Sequence, residues 1–205
     1  MKTNKKLNPK RVIKEFDKRA LRRKGIAKVL SDRFGIELNK SFDKFCYSFI
    51  KKYFPKKMGN VADIGTGMGR LAKYFSQKCN RLIGIDFSEK MLTMANNYLK
   101  GKDNVTLIYN DAVDVDFLPK YFDLGVVSLV LKHNNTTRAI KIIKKLKKWC
   151  KKVLLIEHIT GGTSGSDISI MRTKSWYLKQ FKPMKPVATQ LFKRDKDVVL
   201  FSIFQ

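Results

Sequence analysis

Asp63-Ile64-Gly65-Thr66-Gly67-Met68-Gly69 is the stretch of this chain best suited to hold a ligand: a carboxylate followed by three alternating glycines. Glycine lets backbone turn tightly and approach a bound group with no side chain between them. A dinucleotide fingerprint would need a glycine where Arg70 stands, and a phosphate-binding P-loop would need Gly-Lys-Ser/Thr, which does not follow. An acid this near the ligand suits an ammonium or a hydroxyl. Asp86 lies 17 residues beyond Gly69, at the end of the next apolar run. A carboxylate there can accept hydrogen bonds from both hydroxyls of a ribose. Asp111-Ala112 closes a third run, where it is placed to meet the amino group of an adenine, and Glu157 closes a fifth. Singly, each acid also reads as a turn residue or helix cap. Acids are scarce in this chain, and their gathering at the ends of successive apolar runs favours a ligand rich in hydrogen-bond donors.

Positioning those groups requires strands that all end on one side. Val61–Ile64, Arg81–Ile85, Val105–Tyr109, Leu124–Leu131 and Val153–Ile156 read as strands. Helical spacing runs from Arg70 to Gln77, then through Met91, Leu92, Ala95 and Leu99 behind a Ser88 cap. It returns through Ala139, Ile142, Ile143, Leu146, Trp149, Cys150 and Val153, with seven lysines between them. Strand–helix alternation over residues 60–157 predicts a doubly wound α/β fold with a mostly parallel sheet and helices on both faces. Ligands of such sheets sit outside the carboxyl ends of the strands.

The flanks differ. Residues 1–10 predict a disordered basic arm. Helices are predicted through Val12, Phe16, Ala20 and Leu21, through Ile26, Val29, Leu30 and Phe34, and from Phe42 to Tyr53, before Pro55. Beyond Glu157 come a loop at Gly161–Gly165 and a helix from Thr173 to Phe181. A hairpin follows, of Val187–Phe192 and Val198–Phe204 across Asp195-Lys196-Asp197. Two units result: a basic N-terminal arm and helical lid over residues 1–55, and a Rossmann-like domain over 56–205.

Composition narrows the classes. With 205 residues, 43% hydrophobic and 11% aromatic, the chain forms one ordinary domain and is not mainly disordered. No run approaches the ~18 apolar residues of a membrane helix. Cys46, Cys79 and Cys150 are too far apart for a disulfide framework or zinc knuckle, which predicts a reduced, cytoplasmic setting and no metal. Charge is the extreme feature, with 44 Lys+Arg against 17 Asp+Glu and a net +27. Such a surface draws anionic partners, nucleic acid among them. The excess of lysine over arginine equally fits compositional drift.

Residues 58–157 resemble the core of the class I S-adenosylmethionine-dependent methyltransferases, in the branch that acts on small molecules. Val61 through Gly69 matches that superfamily's first motif, and Leu82-Ile83-Gly84-Ile85-Asp86-Phe87-Ser88 with Met91-Leu92 and Ala95 its second. Asp111-Ala112 and Phe122-Asp123-Leu124 through Ser128-Leu129-Val130-Leu131 resemble the third and fourth. The resemblance implies seven strands in the order 3-2-1-4-5-7-6, which accounts for the terminal hairpin. It implies S-adenosylmethionine as cofactor. Gly65, Thr66, Gly67 and Gly69 would line its methionine side, Asp63 would reach its amino group and Asp86 its ribose. Phe87 and Met91 would flank the adenine, Asp111 with Ala112 would meet its N6, and Ser128 with Leu129 would close the floor near the sulfonium. Arg70 stands where protein N-terminal methyltransferases hold the cofactor carboxylate with an arginine, and reads equally as a solvated helix residue.

Methyl transfer from a sulfonium is an in-line displacement that depends on positioning and desolvation, with a base needed only when the acceptor must lose a proton. His133, and Glu157 beside His158, are the candidates. Lys132 and Asn134 depart from the His-His-Ile run of small-molecule members. The fourth strand lacks the Asn/Asp-Pro-Pro-Tyr/Phe clamp of enzymes that methylate base amines, and Cys150 falls on an apolar stripe, so both known routes to base methylation are disfavoured. The leading expectation is transfer to an O or N atom of a small or carrier-bound acceptor under the helical lid. Val12 through Ala20 resembles the Phe-Asp-x-x-Ala opening of that branch. The alternative is an RNA or other anionic macromolecule. A further one is a protein N-methyltransferase, although +27 would repel a basic tail.

Overall fold

The computed structural model describes residues 7–22, 35–160, 168–194 and 197–205. Its elements are α1 (Pro9–Arg22), α2 (Gly35–Tyr53), β1 (Met58–Ile64), α3 (Arg70–Ser76), β2 (Cys79–Asp86), α4 (Glu89–Tyr98) and β3 (Val105–Tyr109). There follow β4 (Phe122–Ser128), a 3-10 turn (Leu131–His133), α5 (Thr136–Trp149), β5 (Cys150–Thr160), α6 (Lys174–Phe181), β6 (Pro186–Arg194) and β7 (Asp197–Phe204). The expected helix through Ile26, Val29, Leu30 and Phe34, the Gly161–Gly165 loop and the Asp195-Lys196 turn lie outside the described residues.

The strands form one sheet in the order β3-β2-β1-β4-β5-β7-β6. β1 pairs in parallel with both β2 and β4, and β7 runs antiparallel between β5 and β6. Strand order therefore reverses beside β1, and a crevice opens between the carboxyl ends of β1 and β4. Both the expected sheet order and the terminal hairpin are borne out.

Each face of the sheet carries its own core. On one, the apolar stripe of α5 (Ala139, Ile142, Ile143, Leu146, Trp149) packs with Phe122, Tyr177 and Phe181. On the other, α2, α3 and α4 bring Phe42, Phe49, Phe75 and Ala95 against Val61, Leu124 and Phe201. Cys150 belongs to the first core, where burial pushes its thiol up to about 12, so it is no nucleophile. Side-chain oxygens of Ser88, Asn135 and Thr173 cap α4, α5 and α6.

Several expected boundaries shift: Pro9 and Lys10, expected in the basic arm, already belong to α1, α2 begins at Gly35 rather than Phe42, β1 and β2 begin at Met58 and Cys79, and three more shift for reasons the fold supplies. The helical stripe of α5 extends to Val153 in the sequence pattern, but Cys150 has extended backbone (φ −113°, ψ 142°) and opens β5 without a loop. β5 also runs past Ile156 to Thr160, because β7 pairs along it on the side away from β4. The apolar run of β4 reaches Leu131, yet the strand stops at Ser128, because Leu129 takes a left-handed φ of 59°. That turns the chain into the 3-10 segment and throws His133 toward the crevice.

Part of the basic face of α5 serves the fold. Lys120 Nζ donates to the carbonyls of Lys147 and Cys150, and Lys147 Nζ to those of Gln180 and Lys182, at the ends of α5 and α6. Lys148 pairs with Asp116 and Lys151 with Asp123, each at 2.7 Å. Among the described residues, no helix is long and apolar enough to cross a membrane, and no cluster of side chains could hold a metal ion.

Candidate active site

The glycine loop leaves β1 leaning on β2, where the Gly65 and Thr66 amides donate to the Ile85 carbonyl at 2.8 and 3.1 Å. Gly65 has φ 69°, and a Cβ on it would stand 2.3 Å from Val130 Cγ2. Glycine is therefore required on two counts: the left-handed turn, and the close approach of the β1 and β4 loops. Gly67 also turns left-handed, at φ 56°, and donates its amide to Asp86 Oδ2 at 2.8 Å. Asp86 Oδ1 accepts from the Ser88 amide at 2.9 Å. One carboxylate at the end of β2 thus braces the tip of the glycine loop and the start of α4. Asp63 Oδ2 accepts from Thr66 Oγ1 at 2.9 Å. Asp63 is 2% exposed and Asp86 9%, and burial pushes each carboxyl up to about 6.

These groups line a cleft of about 730 Å³, measured to its open mouth. Gly65, Thr66, Gly67 and Asp63 form one wall with Arg70 and Leu71, Asp86 and Phe87 a second, and Ser128, Leu129, Val130 and His133 a third. Phe16 of α1 reaches in from above. Arg70 is not solvated: its guanidinium lies 2.7 Å from Asp43 of α2, its side chain only 11% exposed. Ser128 Oγ is buried in the third wall with no hydrogen-bond partner among the described residues. Together with the left-handed Leu129, this is a polar atom held ready beside a strained turn.

His133 Nδ1 lies 2.8 Å from the Ile168 carbonyl. A carbonyl only accepts, so Nδ1 carries the proton and Nε2 keeps a lone pair. Burial, aided by the charges of Lys132 and Arg19, pushes the imidazole well below its usual range and keeps it neutral. Phe16 stacks edge-on against this ring at 5.1 Å and against Phe87 at 6.3 Å.

Five of the expected site residues do not line the cleft. Gly69 caps α3 in a left-handed turn, and Met91 is buried in α4. Asp111 pairs with Arg138 of α5 and accepts from the Val113 amide at 3.0 Å, while Ala112 packs on the core. Glu157 is fully buried and accepts from the amides of Lys132 and His158 at 3.2 and 3.1 Å. It ties the turn after β4 to β5. Leu71 and Val130 line the cleft although no sequence signal marks them. Both are apolar residues in apolar runs, indistinguishable in the sequence from core.

A family profile described as methyltransferase domain matches residues 61–153. Ribosomal RNA small subunit methyltransferase A of Lactiplantibacillus plantarum is 22% identical over 115 residues, 56% of this chain and 36% of that protein. The chain spans 36% to 51% of the length of that protein and of its Streptococcus gordonii counterpart. Among solved structures, a SAM-dependent methyltransferase from Leishmania major superposes with a TM-score of 0.76 at 16% identity, over 96% of this chain and 85% of that one. N-methyltransferase NodS from Bradyrhizobium japonicum, in complex with S-adenosylhomocysteine, superposes with a TM-score of 0.71 at 16% identity, over 94% and 97%.

Proposed function

We propose that the chain is a class I S-adenosylmethionine-dependent methyltransferase whose cleft binds S-adenosylmethionine and passes the methyl group to an O or N atom of a small or carrier-bound acceptor, a reading supported by the methyltransferase-domain profile over residues 61–153 and by the shared fold. One observation carries the cofactor reading. Two buried carboxylates, Asp63 and Asp86, flank a glycine loop that lines an open cleft with bare backbone at Gly65 and Gly67. The cleft volume of about 730 Å³ lies inside the ~300–1,000 Å³ range of small-molecule and cofactor sites. When bound, the cofactor would supply an electrophilic methyl group.

The residues divide the remaining work. Asp86 accepts hydrogen bonds from ribose hydroxyls, Asp63 faces the ammonium and Arg70 the carboxylate, with Phe87 against the adenine. Ser128 Oγ donates into the floor. Phe16 and Leu71 exclude water from the reacting end, which strengthens every polar contact inside. His133, neutral and with Nε2 free to accept, takes the acceptor's proton where one must leave. Glu157, Asp111, Ala112, Gly69 and Met91 hold the frame.

Phe16 packs edge-on against His133 within the cleft, which favours a slender acceptor. A second reading, an acceptor carried on RNA, is favoured by the net +27 and by the likeness to ribosomal RNA methyltransferases. Titration calorimetry with S-adenosylhomocysteine tests the cofactor reading. Asp86→Ala should weaken binding by about 10- to 100-fold, the loss of one or two charge-assisted hydrogen bonds. Equal binding by the variant removes the assignment. Labelled methyl groups should then enter the low-molecular-mass fraction of a cell extract, and entry into RNA instead selects the second reading.

A further inference from the structure

A polar contact fastens helix α1 to the cleft. Ser88 Oγ donates to Asp17 Oδ1 over 2.6 Å, a short bond to a charged acceptor. The Ser88 amide donates to Asp86 Oδ1 at 2.9 Å, and Asp86 Oδ2 accepts from the Gly67 amide at 2.8 Å. A continuous row of hydrogen bonds therefore joins α1 to the glycine loop through the residue proposed to hold the ribose. The neighbouring residue, Phe16, contacts Phe87 on the cofactor side and His133 on the acceptor side. Adjacent positions of one helix thus touch both halves of the site.

The apolar footing of α1 is small. Among its described residues the helix buries only Val12 and Ala20, and Val12 packs with Leu7 and Ile168 in a cluster separate from the two cores of the sheet. A helix held by so few buried side chains opens at low free-energy cost, so a single bond weighs heavily in its seating. That bond is sensitive to the cleft. Asp17 and Asp86 are two carboxylates sharing one serine, and the charge of each opposes that of the other. Hydroxyl donors placed on Asp86 would draw off its charge and relieve the opposition.

We infer that Asp17 is a positioning residue: it latches α1 over the cleft and couples the seating of that helix to cofactor loading at Asp86. The inference rests on the cofactor reading above. Coupling between two sites is reciprocal, so whatever seats α1 must also tighten the cofactor by the same factor. Asparagine at this position would keep an acceptor for Ser88 and drop the charge; alanine would drop both.

The test is limited trypsin cleavage at Lys14 and Lys18, followed by mass spectrometry, on the full chain with and without saturating S-adenosylhomocysteine. In the unaltered chain the ligand should slow cleavage by about tenfold or more, within the usual range of coupling between sites. Asp17→Ala should cut that protection below about threefold and weaken ligand affinity by the same factor. Asp17→Asn should leave α1 resistant to cleavage with or without the ligand and bind the ligand at least as tightly as the unaltered chain. Binding of the ligand without protection of α1 overturns the latch alone, as does full protection in Asp17→Ala. Failure of the ligand to bind the unaltered chain at all overturns both the latch and the cofactor reading. A merely structural Asp17 would raise cleavage equally with and without ligand, which also refutes the coupling.

Discussion

Gly65→Ala concentrates the geometry of the site into one methyl group. The new Cβ would stand 2.3 Å from Val130 Cγ2, on a backbone held at φ 69°. A left-handed φ costs a side-chain-bearing residue about 1–2 kcal/mol, of which about 0.4–1 returns through a less disordered unfolded chain. Valine is stiff at χ1 and cannot swing its methyl aside, so the overlap adds about 1–3 kcal/mol. The expected loss is therefore about 2–4 kcal/mol in urea unfolding, with weaker binding of S-adenosylhomocysteine. Two controls separate the causes. Gly101 has φ 78°, and a Cβ there would meet nothing within 4 Å, so Gly101→Ala should cost only the backbone part, about 1 kcal/mol. Val130→Ala should rescue Gly65→Ala, leaving a coupling of about 1–3 kcal/mol in the double-mutant cycle. Additive losses, or a Gly65→Ala as mild as Gly101→Ala, would refute the close approach of the β1 and β4 loops.

Two further predictions concern titration. Burial pushes Asp63 and Asp86 each up to about 6, and hydroxyl and ammonium donors need the ionised form, so S-adenosylhomocysteine affinity should fall as pH drops through that value. The fall should reach up to about tenfold per pH unit for each carboxylate. Calorimetry showing constant affinity from pH ~7.5 to ~5.5 would contradict this. The same shift has an opposite sign for folding. The folded chain binds more protons than the unfolded one between about pH 4 and 6, so stability declines as pH rises through that window. Asp63→Asn should accordingly gain about 1–2 kcal/mol at neutral pH, read by urea unfolding, while weakening the ligand. His133 is already neutral, so turnover at saturating cofactor should show no inflection near ~6.5. His133→Gln should lower turnover by about 10²–10⁴-fold with ligand affinity unchanged, and an unaltered rate would remove His133 from the chemistry.

Much of the architecture was legible because it is local. Alternating apolar runs and helical stripes report burial along the chain, and glycines with acids at run ends report where backbone must turn toward a ligand. Boundaries were less legible where one pattern flows into another. Nothing in Trp149-Cys150-Lys151 separates helix from strand until β4 offers Cys150 a partner in Phe122. Leu129 shows the same limit, since a leucine in an apolar run gives no sign of a left-handed turn.

The acids at strand ends divide most sharply. Asp63, Asp86, Asp111 and Glu157 share one sequence signature, an acid closing an apolar run, and that signature was enough to find the cleft end of the sheet. Which of them face the cleft was settled by residues far away in the chain: Arg138 turns onto Asp111, and the Lys132 amide occupies Glu157. Arg70 likewise could be solvated or buried until α2 set Asp43 beside it, and Phe16 could pack anywhere until Ser88 received Asp17. Local spacing dictates the direction a side chain leaves the backbone, whereas its occupation depends on hydrogen-bond and packing partners that only the folded chain brings within reach.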